Sequence, residues 1–163
     1  PKALVAFFEL ILRVTDNPHR RLERPAAGGA AALWMPSEHM GKPNLAQELE
    51  ALGVLLAGSG FARFPRVSAQ RAAMDRNHPH ERAHDYLYFL GVRTEAQGLG
   101  VGSRLLKAHI AGLDAAARPA FLETGAPRTL SLYRGHGFEV VGEYKARPDA
   151  PTMWALWREP QAA

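Results

Sequence analysis

The stretch Leu90-Gly91-Val92-Arg93-Thr94-Glu95-Ala96-Gln97-Gly98-Leu99-Gly100-Val101-Gly102-Ser103-Arg104-Leu105-Leu106 decides the fold. Ahead of it, Tyr86 to Val92 are aromatic and aliphatic, the composition of a buried strand. After it, Leu106, Ile110, Leu113 and Ala117 recur on one face of a helix. Between the two, Gly98, Gly100 and Gly102 carry no Cβ, so a bulky anion can come close to the backbone. The free N–H groups and the positive dipole end of the helix would face that anion. Strand, glycine loop and helix in this order predict a cradle for a phosphate or pyrophosphate.

Three phosphate loops compete for the stretch. A P-loop needs Lys and then Ser or Thr after its last glycine, whereas Gly102 is followed by Ser103-Arg104. The dinucleotide pattern G-x-G-x-x-G accepts Gly98 and Gly100 but meets Ser103 in place of its third glycine. Glu123 stands about 20 residues on, where that pattern wants a ribose-binding acid. The third pattern, Q/R-x-x-G-x-G/A, is met in full by Gln97, Gly100 and Gly102.

That third loop and its flanks resemble the GNAT N-acetyltransferase superfamily in order and spacing. The flanks are Phe121-Leu122-Glu123-Thr124 and Tyr133-Arg134-Gly135-His136-Gly137-Phe138-Glu139-Val140-Val141-Gly142. The closing run Gly142 to Pro160, with Pro151-Thr152-Met153-Trp154 and Arg158-Glu159-Pro160, is similar too. The wording Leu-Glu-Thr-x-Ala-Pro-Arg followed by Tyr-x-x-x-Gly-Phe is similar to the branch containing puromycin-type N-acetyltransferases. Residues 84–160 carry the resemblance, and the first half follows it loosely.

The resemblance implies a single acetyltransferase domain over residues 1–163, with a twisted mixed α/β sheet and helices on both faces. It implies acetyl-CoA as the acetyl donor and direct transfer to a primary amine of a small molecule. The cofactor-binding residues it points to are Leu90, Gly91 and Val92 on the strand, then Gln97, Gly98, Leu99, Gly100, Val101, Gly102 and Ser103 in the loop, and Thr129 and Tyr133 beyond. Tyr133 occupies the family's general-acid position. Ala126 and Thr129 stand where many members carry Asn, and Ala126 is shared with the puromycin-type branch. A homodimer and a cytoplasmic location are further expectations. In the family a strand and a helix precede the first helix read here, and both are missing from this pattern.

Acyl transfer needs a polarised carbonyl, a neutral amine and a protonated leaving thiolate. For the base, the residues leave two candidates: Glu123 beside the cofactor channel, and His84, which titrates in the useful range. The cluster His78, His80, Glu81, His84 and Asp85 offers metal-ligating types, but in a Pro-containing loop and not on one helix face, so no metal is expected. Trp34, Trp154 and Trp157 are candidates for lining an acceptor pocket or for packing.

Composition agrees with one soluble domain. The chain has 163 residues, 47% hydrophobic and 22% charged, and no cysteine, which excludes disulfides and thiol chemistry. Twenty Lys and Arg against sixteen Asp and Glu give a net charge of +4, suited to a polyanionic cosubstrate. The basic residues form no long run, so nucleic acid is set aside as a partner. The apolar run Ala3 to Val14 is too short to span a membrane and reads as a buried helix.

Along the rest of the chain, Asp16-Asn17-Pro18 stops the first helix, and Gly28-Gly29 turns a hairpin between Arg20–Pro25 and Ala30–Met35. Helices are predicted over Ala46–Leu56, ended by Gly58-Ser59-Gly60, and over Phe61–Met74, followed by a loop Asp75–Arg82. A strand from His84 to Val92 leads into the glycine loop. Arg118-Pro119 ends the next helix, Ala120–Thr124 is a strand, and Thr129 caps a short helix closed by Gly137. Phe138–Tyr144 and Thr152–Arg158 alternate as a hairpin.

Three other functions fit the same residues. These are acetylation of a protein N-terminus or lysine, a non-catalytic coenzyme A-binding homologue, and NAD binding, for which the second βαβ unit is lacking.

Overall fold

The computed structural model describes residues 2–41, 45–59 and 64–162. In chain order the elements are α1 (Lys2–Val14), β1 (Arg21–Glu23), β2 (Ala30–Pro36), α2 (Leu45–Ser59), α3 (Phe64–Asn77), β3 (Asp85–Val92), α4 (Val101–Ala115), β4 (Ala120–Thr124), α5 (Leu130–Arg134), β5 (Glu139–Tyr144) and β6 (Met153–Arg158). The strands form one sheet in the order β1-β2-β3-β4-β6-β5. β3 and β4 run parallel, joined by α4, and the other neighbours are antiparallel. This is the mixed sheet the loop motif called for.

Alternation along the strands sorts side chains onto two faces. On one, Leu87, Leu122 and Leu156 meet Leu105, Leu106, Ile110 and Leu113 of α4, with Tyr133 and Phe138. On the other, Tyr86, Phe121 and Ala155 pack with Tyr88, Met40 and Trp157. Two irregularities reset the alternation. In β3 the register jumps from Leu33↔Phe89 to Trp34↔Leu87, leaving Tyr88 as the extra residue of a bulge. In β5 it jumps from Val140↔Leu156 to Gly142↔Ala155, leaving Val141 extra.

Helix α1 departs from the buried helix predicted for Ala3–Val14. Leu10 is buried, but Val5, Phe8 and Leu12 are exposed. Phe7 and Phe8 set their rings against Phe89, 6.3 and 5.1 Å between centroids, and α2 packs alongside. One flank of α1 is thereby covered and the other meets solvent. Leu45 and Leu49 of α2 are exposed as well. Helix α2 continues through Gly58 to Ser59. It thus runs past the end predicted at Leu56, while Gly60 and the predicted start of the next helix at Phe61 lie outside the described residues.

Helix α3 holds Pro65 in its first turn, where the missing N–H costs nothing, and runs on to Asn77 into the predicted loop. Helix α4 stops at Ala115, short of Arg118-Pro119. At the sheet's far end, Arg158 is 2% exposed. It grips Asp114 with two bonds of 2.6 and 2.8 Å and donates through Nε to the His136 carbonyl at 2.8 Å. That fork locks β6 to α4 and to the turn after α5.

Candidate functional site

Two left-handed glycines shape the loop. Gly98 has φ +78° and Gly100 has φ +71°, a region that strains any residue with a Cβ. Gly100 immediately precedes α4, so no side chain caps that end and no acidic residue lies in its first turn. The N–H groups of Val101, Gly102 and Ser103 therefore take no partner within the helix. Gln97 Nε2 donates to the Val92 carbonyl at 3.1 Å, and Arg104 Nη1 donates to the Leu99 carbonyl at 3.0 Å. Both side chains brace the loop. Beneath it, a Cβ on Gly102 would stand 3.2 Å from Val92 Cγ2, tighter than an ordinary side-chain contact, so α4 lies close on β3 here. Ser103 Oγ and His136 Nε2 lie 2.7 Å apart and tie the first turn of α4 to the turn beyond α5. Bare donors, no acidic residue in the first turn and the dipole end of a 15-residue helix fit a pyrophosphate.

Above the loop the sheet forks. Parallel pairing of β3 with β4 covers Asp85↔Ala120, Tyr86↔Phe121 and Leu87↔Leu122, and goes no further. Beyond that point β3 stays with β2, with Leu90, Gly91 and Val92 opposite Ala32, Ala31 and Ala30. β4 stays with β6, with Glu123 opposite Ala155 and Thr124 opposite Trp154. The bulge at Tyr88 sits where the two strands part. Backbone groups on the inner edges of the fork are left without strand partners, which suits an extended, amide-bearing chain.

Glu123 is the first residue of β4 past the last β3–β4 pair. Its Oε2 accepts a hydrogen bond from the Tyr86 hydroxyl at 3.2 Å, and its Oε1 accepts one from the Tyr144 hydroxyl. Burial pushes the Glu123 carboxyl above its ordinary range, against the two phenols, which hold it down. Tyr133 lies on the opposite face, packed in the α4-side core and 8% exposed. Its ring meets Phe138 edge-on at 6.1 Å, and its hydroxyl has no hydrogen-bond partner among the described residues. Burial raises its phenol above the usual value. Glu123 and Tyr133 thus lie on opposite faces of the sheet, the carboxylate beside the fork and the phenol in the α4-side core.

Thr129 does not cap α5 as predicted. Its hydroxyl donates to the Ala126 carbonyl at 2.7 Å and lies 3.0 Å from Thr124 Oγ1, which itself accepts from the Ala126 N–H at 3.2 Å. The two threonines lace the turn at the end of β4 instead. Gly137 does close the helix, with φ +81°.

His84 is not brought to this place. It precedes the first residue of β3, at the end of the strand away from the loop, and is fully buried. Asp85 pairs with Ala120, so Glu123 lies three residues further along, about 10 Å at strand rise. His84 Nδ1 donates to the Arg82 carbonyl at 2.7 Å, its Nε2 has no partner among the described residues, and burial holds its pKa below the ordinary value. It wedges among His78, Phe121 and Trp157, a packing role. Trp34 is fully buried and stacked on His109 at 4.1 Å, so it lines no pocket.

Two clefts open away from the loop. One of about 580 Å³ is lined by Glu38, Asp85, His109 and Arg118, and one of about 540 Å³ by His78, Phe121, Val141 and Trp157. The His78–Asp85 cluster does not converge on a point: among the described residues no three metal-ligating side chains are placed to hold an ion. No described helix is long and apolar enough to cross a membrane.

Sequence reasoning missed Tyr86 and Tyr144. The only signal was Gly142, an isolated glycine in a strand pattern and a mark of a bulge.

No protein-family model matches the sequence. Solved structures do. A Corynebacterium glutamicum protein described as histone acetyltransferase HPA2 and related acetyltransferase is 26% identical, with TM-score 0.63 over 99% of this chain and 76% of its own. The ribosomal-protein-S18-alanine N-acetyltransferase of Escherichia coli is 14% identical, with TM-score 0.56 over 95% of this chain and 78% of its own. Arylalkylamine N-acetyltransferase 2 of Aedes aegypti is 11% identical, with TM-score 0.56 over 92% and 77%. The last two share the fold with this chain.

Proposed function

We propose that this chain, a member of the GNAT acetyltransferase superfamily by its fold, moves an acetyl group from acetyl-CoA directly to a primary amine of a small molecule. The observation that carries the reading is the fork beyond Leu87↔Leu122, with Glu123 the first residue of β4 past it; Tyr133 belongs to the core on the opposite face of the sheet. Acetyl-CoA supplies an acyl thioester whose carbonyl is open to attack.

In this reading the N–H groups of Val101, Gly102 and Ser103 bind the pyrophosphate, with Gly98 and Gly100 keeping side chains out of its way. Inner-edge backbone groups of Leu90, Gly91 and Val92 hold the pantetheine arm, and a strand N–H polarises the carbonyl. Glu123 takes a proton from the incoming ammonium, so that a neutral amine attacks. Its raised pKa makes it a better base than an exposed carboxylate. Tyr133 donates a proton to the departing sulfur on the other face. Its phenol stays protonated well beyond neutral pH. Acid and base on opposite faces keep incoming amine and outgoing thiol on separate paths.

A second reading gives the acceptor amine to a protein. Two of the similar structures are described by protein acceptors, a histone and ribosomal protein S18, and one by arylalkylamines.

The test is calorimetric titration with acetyl-CoA and, separately, NAD, followed by a thiol-release assay with small amines and with peptides. Micromolar acetyl-CoA binding and turnover with a small amine are expected. Turnover with peptides only transfers the function to the second reading. Binding without turnover on any amine leaves a coenzyme A-binding homologue, and NAD binding in place of acetyl-CoA overturns the reading.

A further inference from the structure

Tyr144 and Glu123 are not neighbours in the sheet: β6 runs between their strands. Two strand spacings separate β5 from β4, about 10 Å, within the combined length of a tyrosine and a glutamate side chain. The path between them is open because the residue of β6 opposite Glu123 is Ala155, which faces the same side of the sheet as Tyr86 and Phe121. A second condition is the bulge at Val141. Val140 faces the α4-side core. Strict alternation would send Gly142 and Tyr144 the same way. The extra residue turns them over, so that Gly142 pairs with Ala155 and Tyr144 with Met153 on the Glu123 face. From the other side Tyr86 reaches the second oxygen, its ring stacked on Phe121 at 5.8 Å.

We propose that Tyr144 is a positioning residue: with Tyr86 it fixes the Glu123 carboxylate at the mouth of the fork, one phenol on each oxygen, and ties it to the β5–β6 hairpin. This rests on the reading of Glu123 as the group that takes the amine's proton. Each carboxylate oxygen has a second lone-pair direction, so an ammonium can still bind and pass its proton to Glu123 while both phenols stay in place. The titratable groups that face Glu123 are Tyr86 from β3 and Tyr144 from β5, with Tyr88 one ring further at 5.4 Å from Tyr86. Burial and the neighbouring carboxylate keep both phenols protonated, so they remain donors throughout the working range. Each donated bond favours the ionised carboxylate.

The experiment compares wild type, Tyr144→Phe, Glu123→Gln and the double variant in three measurements. These are acetyl-CoA binding, the pH profile of kcat/KM, and the titration of Glu123 followed by carbon NMR of labelled glutamate. Tyr144→Phe should bind acetyl-CoA like wild type, lower kcat about tenfold, and move both the acid limb and the NMR titration of Glu123 to higher pH. In the Glu123→Gln background Tyr144→Phe should cost little more. Wild-type titration and wild-type profile in Tyr144→Phe overturn the role of Tyr144, as does a full, additive loss in the double variant. Wild-type rate in Glu123→Gln instead overturns the reading of Glu123 as base, and the catalytic role of Tyr144 with it.

Discussion

Ala117 and Gly137 hold the same backbone conformation at the same place, one closing α4 and the other closing α5. Their φ angles are +50° and +81°. After α4, the Arg118 N–H reaches the Leu113 carbonyl at 2.8 Å and the Ala117 N–H reaches Asp114 at 3.0 Å. After α5, Phe138 reaches Tyr133 at 3.2 Å and Gly137 reaches Arg134 at 3.0 Å. Both are Schellman endings, and both ask for a residue without a Cβ at the left-handed position. Only α5 has one. Ala117→Gly is therefore expected to raise stability by about 1 kcal/mol. Urea unfolding would show a higher midpoint at unchanged slope, and an unchanged or lower midpoint would contradict the strain assigned to Ala117.

That pair also marks what the sequence discloses. A glycine at 137 announced the end of α5, whereas an alanine at 117 gave no sign, so the end of α4 was placed at Arg118-Pro119. The hairpin β1–β2, the strand–loop–helix from β3 into α4, and strand β4 were legible because local chemistry sets them: glycines at turns, apolar runs between. The bulge at Tyr88 was not, since an extra residue changes no composition, and Gly142 was the one hint of the bulge at Val141. Tyr144 thus read as a plain strand residue, although the bulge at Val141 delivers it to Glu123 across β6. His84 was legible in position, at the start of the strand that leads into the loop. What the sequence left out is that β4 pairs only with the first three residues of that strand, which sets Glu123 about 10 Å along from Asp85.

The glycine loop makes a graded prediction. A Cβ on Gly102 meets Val92 at 3.2 Å, whereas one on Gly98 meets nothing within 4 Å and suffers only its φ of +78°. Gly102→Val should lever α4 off β3 and cost about 1–3 kcal/mol of stability. Gly98→Ala should cost about 1 kcal/mol. Both should weaken acetyl-CoA binding, because both move the N–H groups at the start of α4. Equal stability losses in thermal or urea unfolding would reject the close approach of Gly102 to Val92.

Acid stability turns on Arg118. Its guanidinium donates to Glu38 at 2.8 Å and to Asp85. The bond from Arg118 holds the Glu38 carboxyl down at about 2. Burial would raise Asp85, but hydrogen bonds from His109 and Arg118 outweigh it and lower its pKa. Depressed folded-state values mean that the stabilisation is complete above the ordinary 4.5 of Glu38 and is lost as pH falls through about 2. Glu38→Gln should be less stable than wild type at pH 7 and should converge with it as pH approaches 2. Urea midpoints measured across that window test this; parallel curves would show that the Glu38–Arg118 pair contributes nothing.

Tyr133 allows a clean separation of fold from chemistry. Its hydroxyl makes no hydrogen bond among the described residues, while its ring packs on Phe138 and the α4-side core. Tyr133→Phe keeps the ring, so stability should stay within about 0.5 kcal/mol of wild type, and acetyl-CoA binding should not change. If the phenol protonates the leaving sulfur, kcat should fall about 10²-fold. Burial raises the phenol's pKa, so its ionisation sets no alkaline limb in the ordinary assay range. The decisive measurement varies the leaving group. An acetyl thioester of a more acidic thiol needs less help to depart, and should narrow the gap between Tyr133→Phe and wild type. A deficit that stays constant across thiols would mean that Tyr133 orients the cosubstrate without giving up a proton.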